Sequence, residues 1–100
     1  MSQSRSFQKS TSYDFEQEVL SRFRYLVGIL PEECGIYRET WNNSTVLCLN
    51  FEHCPYFLEI IKEKTDILMT EIERFSLATC ILFRQGNQLK AWRQMGRIKN

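Results

Sequence analysis

The chain has 100 residues, of which 43% are hydrophobic and 25% are charged, and its formal net charge is +1. This composition suits one globular domain and excludes a disordered chain, a collagen-like chain and a disulfide-dense miniprotein. No run of 18 or more apolar residues occurs, so we expect no association with a membrane. We expect residues 1–12 to be a flexible segment, residues 13–95 to form the domain, and residues 96–100 to be a frayed basic tail.

The first predicted element is an amphipathic helix over residues 14–30. Apolar residues recur in it at spacings of three and four, namely Phe15, Val19, Phe23, Val27 and Leu30. Thr11 or Ser12 would cap its first turn, because hydroxyl side chains accept hydrogen bonds from free backbone N–H groups there. Pro31 would end the helix, since proline disfavours helical geometry in the residue before it.

Two predicted strands follow this helix. Residues 36–41 alternate between two faces, and the polar residues 42–44 are typical of a turn. Residues 45–51 are apolar at almost every position. A strand of that kind is expected at the centre of a sheet that is covered, or nearly so, on both faces.

A second helix is predicted to begin at Pro55 and to continue to about residue 75. Its apolar stripe consists of Leu58, Ile61, Leu68, Ile72 and Phe75. Proline is well tolerated at the first helical position, where its missing N–H group has no intrahelical partner. Thr65 and Asp66 are expected to break this long helix into two pieces.

The last predicted elements are two strands joined by a turn. Residues 77–83 are strongly apolar, residues 84–87 include Gly86 and suit a hairpin turn, and residues 88–93 complete the hairpin. Leu89, Ala91 and Trp92 would supply the inner contacts of the last strand. The order α-β-β-α-β-β predicts a single small α+β domain with an antiparallel or mixed sheet and two helices on one face.

The pattern of the four cysteines indicates a protein of a reducing compartment. Cys34, Cys48, Cys54 and Cys80 form no Cys-x-x-Cys pair, and His53 is the single histidine. These spacings match no zinc site, so we expect free thiols, a cytoplasmic location, no metal and no cofactor.

Cys54 is the one candidate for catalysis, because a thiol at a helix N-terminus faces free N–H groups that stabilise its thiolate. Residues 46–57 resemble the strand, active-site turn and helix of glutaredoxins and thioredoxins, and residues 81–86 look like the hairpin that ends a thioredoxin sheet. The resemblance implies a thiol protein that acts through Cys54. Phe57 stands where the family carries its second cysteine.

The C-terminal segment offers a second alternative. Its basic residues are Arg84, Lys90, Arg93, Arg97 and Lys99, and residues 84–100 contain no acidic residue. Trp92 lies between two of these bases and could stack on a nucleobase while they neutralise phosphates. This pattern predicts nucleic-acid binding, although no known nucleic-acid motif accompanies it and residues 13–83 are acidic overall.

Aromatic residues are too numerous for all of them to be buried in one small core, and the second helix carries apolar residues beyond its stripe. We therefore expect a binding surface made by Trp41, Tyr56, Phe57, Ile60, Met69 and Trp92. The resulting prediction is a small intracellular binding or regulatory module without catalytic activity. It would act as a homodimer or as a subunit of a complex with another protein.

Overall fold

Two β-hairpins joined by a helical segment build one four-stranded sheet. The computed structural model describes the backbone of residues 2–95 and the side chains of residues 13–95, so the predicted tail at residues 96–100 lies outside the described residues. Its elements are α1 (Ser2–Val27), β1 (Gly35–Trp41), β2 (Ser44–Asn50), a 3₁₀ helix (Pro55–Phe57), α2 (Leu58–Glu63), α3 (Thr65–Arg74), β3 (Cys80–Gln85) and β4 (Gln88–Gln94).

The sheet is mixed, and its strands lie in the order β1-β2-β3-β4. Each hairpin is antiparallel, whereas β2 and β3 pair in parallel across the centre. The predicted small α+β domain is confirmed at this level. The element order differs from the predicted α-β-β-α-β-β in one respect: the second predicted helix is two α-helices, so the described part of the chain has three.

Helix α1 differs from its prediction at both ends. It begins at Ser2 rather than at Asp14, so residues 11 and 12 lie inside the helix and do not cap it. It ends at Val27 because Gly28 adopts a φ of +65° and donates its N–H to the Arg24 carbonyl at 3.1 Å. A left-handed glycine is a common helix terminator, and it acts here before Pro31 is reached.

The inner face of α1 is also shifted from the predicted stripe. Leu20, Phe23 and Val27 are buried, but Phe15 has 71% of its surface exposed and does not belong to the core. The buried face of α1 is therefore rotated about the helix axis by about 50° from the predicted stripe, since each residue advances by about 100°.

The second predicted helix is divided as expected, at Lys64, one residue before the predicted break. The 3₁₀ helix begins at Pro55, and α2 and α3 meet at Lys64, whose φ of −107° and ψ of 25° depart from helical values. The hydroxyl of the buried Thr65 donates to the Lys62 carbonyl at 2.5 Å. This side chain competes for a carbonyl that a continuous helix would use, which favours the break. Phe75 is the C-cap residue of α3, and its side chain is exposed, so it does not belong to the buried stripe predicted for this helix.

The core lies between the three helices and one face of the sheet. Its largest members are Leu20, Phe23, Leu47, Leu49, Phe51, Leu58, Ile61, Leu68, Ile72, Leu77, Ile81 and Phe83. Alternate residues of β2 and β3 point to the other face, which no described helix covers. Strand β2 was predicted in a sheet that is covered, or nearly so, on both faces. The helices cover one face, and on the other face Val46, Cys48 and Leu82 are still buried.

Strand β4 makes fewer core contacts than predicted. Ala91 packs against the core, but Leu89 has 49% and Trp92 has 58% of its surface exposed. A register shift between Phe83 and Arg84 places Arg84 opposite Leu89. Leu89 consequently lies on the uncovered face of the sheet, and Trp92 lies on the same face because it pairs with Leu82.

Arg38 on β1 ties three parts of the chain together. Its Nε donates to a Glu16 carboxylate oxygen at 2.8 Å, and its Nη2 donates to the other oxygen of that carboxylate. Its Nη1 donates to the Leu77 carbonyl at 3.0 Å. The guanidinium thereby holds α1 and the segment before β3 against the first strand.

This ion pair predicts a specific dependence of stability on pH. Hydrogen bonding to Arg38 lowers the pKa of Glu16 below its ordinary value of 4.5. The unfolded chain therefore takes up the proton first, and the stabilisation is present above about pH 4.5 and lost as the pH falls through the lowered pKa. Chemical denaturation between pH 3 and pH 7 should show a smaller acid-side loss in Glu16→Gln than in the wild type. Equal slopes in both proteins would contradict the assignment.

Candidate binding surface on the open face of the sheet

The face of the sheet that the helices leave uncovered, called here the open face, carries apolar and aromatic side chains together with a few polar and charged ones. Its members are Tyr37, Glu39, Trp41, Val46, Cys48, Cys80, Leu82, Arg84, Leu89, Trp92 and Gln94. The strand register explains this grouping, because directly paired residues share a face of the sheet. Tyr37, Cys48, Leu82 and Trp92, for example, form one row across all four strands.

Three residues at the centre of the open face are buried without any covering helix. Val46, Cys48 and Leu82 each expose 3% or less of their surface, and the half-buried Tyr37 and Cys80 pack against them. The open face is thus a small apolar cluster with large side chains at its rim. Such a patch, rimmed by polar groups, is a feature that commonly marks an interaction site.

An open cavity of about 350 Å³ lies on this face. Its lining residues are Trp41, Asn42, Ser44, Val46, Thr79, Cys80, Leu82, Leu89, Trp92 and Gln94. Asp, Glu, Lys, Arg and His are all absent from this lining, and burial raises the pKa of Cys80 above its ordinary value. The cavity is therefore uncharged at neutral pH and suits an apolar group.

The aromatic ring at one end of the cavity is held by a polar contact. The indole Nε1 of Trp41 donates to Glu39 Oε1 at 2.9 Å, and Arg84 Nη2 lies 3.5 Å from the same oxygen. The Arg84 Cζ also lies 6.0 Å from the centroid of the Trp41 ring, within cation–π range. These contacts orient an exposed indole before any ligand arrives, which lowers the entropy lost on binding.

The predicted binding residues fall into two groups on opposite layers of the domain. Trp41 and Trp92 line the same cavity on the open face. Tyr56, Phe57, Ile60 and Met69 belong to the 3₁₀ helix, α2 and α3, which cover the other face. Phe57 packs against the core, and its ring centroid lies 5.1 Å from that of the exposed Tyr56. The six residues therefore do not form one continuous surface.

Several residues that line the cavity were not predicted as binding residues. Leu89 was expected in the core, and Val46 and Leu82 were treated only as parts of buried strands. The two-sided apolar pattern of residues 45–51 was the available signal, since only one of those sides faces the helices.

The basic residues proposed for nucleic-acid binding that fall within residues 13–95 do not share a surface. Arg84 lies on the open face and is paired with Glu39, whereas Arg93 pairs with Ile81 and so lies on the side of β4 that faces the helices. Lys90 is exposed at the register shift. Arg97 and Lys99 lie outside the described residues.

The surroundings of Cys54 favour its protonated thiol over the thiolate. Its residue surface is fully buried, and it precedes a 3₁₀ helix of only three residues without forming a side-chain cap. Burial raises the pKa of the Cys54 thiol, and the nearby Glu33 raises it further. A reactive thiol needs the opposite shift, because the thiolate is the nucleophile.

No family model, curated protein or solved structure is significantly similar to this chain. Within residues 2–95, no helix is both long enough and apolar enough to cross a membrane. Over the same residues, His, Cys, Asp and Glu form no group of three that could hold a metal ion. The surface of the domain itself is thus the basis for assigning a function.

Proposed function

We propose that this protein is a non-catalytic binding module that recognises another protein through the open face. The observation that carries the proposal is the uncharged cavity lined by Trp41 and Trp92. An apolar side chain of a partner would enter this cavity, and the indole rings of Trp41 and Trp92 would exclude water around it. Tryptophan is enriched among the residues that contribute most to protein–protein affinity, which supports this assignment.

The charge distribution favours a protein partner over a nucleic acid. Binding to a phosphate backbone requires several unpaired cations around the site. The cavity lining contains none, and Arg84 already interacts with Glu39 and the Trp41 ring. A peptide segment with one large apolar residue and polar neighbours matches the cavity and its rim of Asn42, Ser44 and Gln94.

Random peptides displayed on phage provide a direct test. We expect the wild-type protein to select peptides that share a large apolar residue, and a synthetic copy of one selected peptide then serves as the probe. Both tryptophans of the chain lie on the open face, so binding of this peptide should shift their fluorescence emission to shorter wavelengths. Trp92→Ala should weaken binding at least about tenfold, as truncation of a hot-spot side chain does.

Tyr56→Ala is the matched control, because Tyr56 has 71% of its surface exposed but lies on the helical side. Its affinity for the selected peptide should stay within about twofold of the wild type, as expected for a residue outside the interface. Selection of no peptide, or equal weakening by both variants, would refute the proposal. Tight binding of a single-stranded oligonucleotide that Trp92→Ala abolishes would instead establish the nucleic-acid alternative.

A further inference from the structure

Helix α1 exposes a second aromatic surface, on the side of the helix that points away from the core. Phe15 and Tyr25 have 71% and 84% of their surfaces exposed, and Leu26 has 50%. These are large exposures for apolar and aromatic side chains within a helix that packs on a core. Their arrangement relative to the charged residues between them indicates what would cover them.

Four exposed residues follow one line along α1: Phe15, Glu18, Arg22 and Tyr25, called here the α1 stripe. Their spacings of three, four and three residues keep them within about 80° of the helix circumference, since each residue advances by about 100°. The buried Leu20, Phe23 and Val27 lie on the opposite side.

The residue types along the α1 stripe are symmetric about its centre, an arrangement called here a palindrome. An aromatic residue stands at each end, and an acid and a base occupy the two central positions. When two such helices pack antiparallel about a two-fold axis, Phe15 of each copy faces Tyr25 of the other. Glu18 of each copy likewise faces Arg22 of the other. This is the self-complementarity that a two-fold interface between identical chains requires.

Charge also selects this orientation over the alternative. Parallel helices in register would set Glu18 beside Glu18 and Arg22 beside Arg22, which is repulsive. A shallow depression on the helix, lined by Glu18, Ser21, Arg22, Tyr25 and Leu26, has the i, i+3, i+4, i+7 spacing of a hole between side chains. Such a hole receives a bulky side chain from a facing helix.

We propose that a second copy of this chain packs antiparallel against the α1 stripe to form a homodimer. This inference goes beyond the proposed function, because it uses the helical layer and leaves the open face free. The dimer is expected to be weak, with a dissociation constant above about 1 µM, since three helical turns bury less area than a standard interface of about 800 Å² per partner.

Charge reversal tests the pairing. Sedimentation equilibrium over a wide range of protein concentration should show a monomer–dimer equilibrium for the wild type. Glu18→Arg and Arg22→Glu should each weaken self-association at least about tenfold, because like charges then face one another across the axis. The double variant Glu18→Arg/Arg22→Glu should regain dimerisation, since the palindrome is restored with its charges exchanged.

Mixing the two single variants gives the sharpest outcome. In a heterodimer, the two arginines of one chain face the two glutamates of the other. The equimolar mixture should therefore associate at least about tenfold more tightly than either variant alone. Within one helix Glu18 lies 3.3 Å from Arg22, so each single variant also breaks this intrahelical ion pair. Glu59→Arg is the control, because this exposed glutamate on α2 belongs to a similar intrahelical ion pair, with Lys62 at 3.5 Å, and lies outside the α1 stripe. Circular dichroism establishes that each variant is folded.

Three results would overturn the proposal: a wild-type chain that stays monomeric at all concentrations, single variants that dimerise as the wild type does, or a mixture that stays monomeric. Peptide binding at the open face should be unchanged in all these variants. Failure of the dimer is therefore distinguishable from failure of the proposed function.

Discussion

Replacing Phe51 with alanine should lower the free energy of unfolding by about 4 kcal/mol, the usual cost of truncating a buried phenylalanine. Phe51 is fully buried, and its ring stacks against Phe83 with 6.4 Å between the centroids and 17° between the planes. The loss combines the transfer of apolar surface to water with a cavity that the surrounding strands cannot close. Domains of this kind are stabilised by only about 5–15 kcal/mol, so the change removes a large share of the total.

Urea denaturation followed by circular dichroism measures this loss. Phe75→Ala is the matched control, since Phe75 has 47% of its surface exposed at the end of α3. We expect that control to cost less than about 1 kcal/mol, as substitutions of partly exposed side chains do. Similar losses in the two variants would mean that the stacked pair does not anchor the core.

Replacing Arg24 with methionine should cost about 2–3 kcal/mol, because hydrogen bonds from a charged donor contribute about 1.5–3 kcal/mol each and are not fully additive. Two guanidinium nitrogens of Arg24 donate to the carbonyls of Pro31 and Cys34, both at 2.7 Å. The side chain therefore holds the segment between α1 and β1 in place. Methionine retains the apolar stem but leaves both half-buried carbonyls without this donor.

Two further substitutions separate hydrogen bonding from charge. Arg24→Lys retains the charge but loses the planar fork that reaches both carbonyls, so its stability should lie between those of the wild type and Arg24→Met. Arg22→Met removes an arginine whose side chain is 74% exposed and should change stability by less than about 0.5 kcal/mol. Denaturation at low protein concentration keeps self-association from contributing. An Arg24→Met variant as stable as Arg22→Met would refute the assignment.

Much of the fold could be predicted because local patterns and tertiary structure agree. The turn at residues 42–43, where both asparagines adopt positive φ angles, and the hairpin at Gly86 were both visible in the sequence. The helix break near Thr65 was predicted from the sequence as well. Each of these features depends on the chemistry of a few neighbouring residues, which the sequence displays directly.

The candidate site could be predicted only in part, because it depends on which face of the sheet the helices cover. Trp41 and Trp92 were identified, but the same reasoning joined them to Tyr56, which lies on the opposite layer. Strand β2 is apolar on both sides, so its sequence cannot distinguish the covered side from the open face. The register shift beside Arg84 changes which residues of β4 share a face, and no local sequence pattern predicts this shift.

The parallel pairing of β2 with β3 has a consequence for the route by which the chain folds. Each hairpin joins residues that are close in sequence, whereas the central pairing joins distant ones such as Leu47 and Ile81. Closing that long loop costs chain entropy before the buried contacts between the hairpins can compensate for it. The two hairpins can therefore form quickly and separately, while docking of β2 against β3 limits the rate at which the native sheet is assembled.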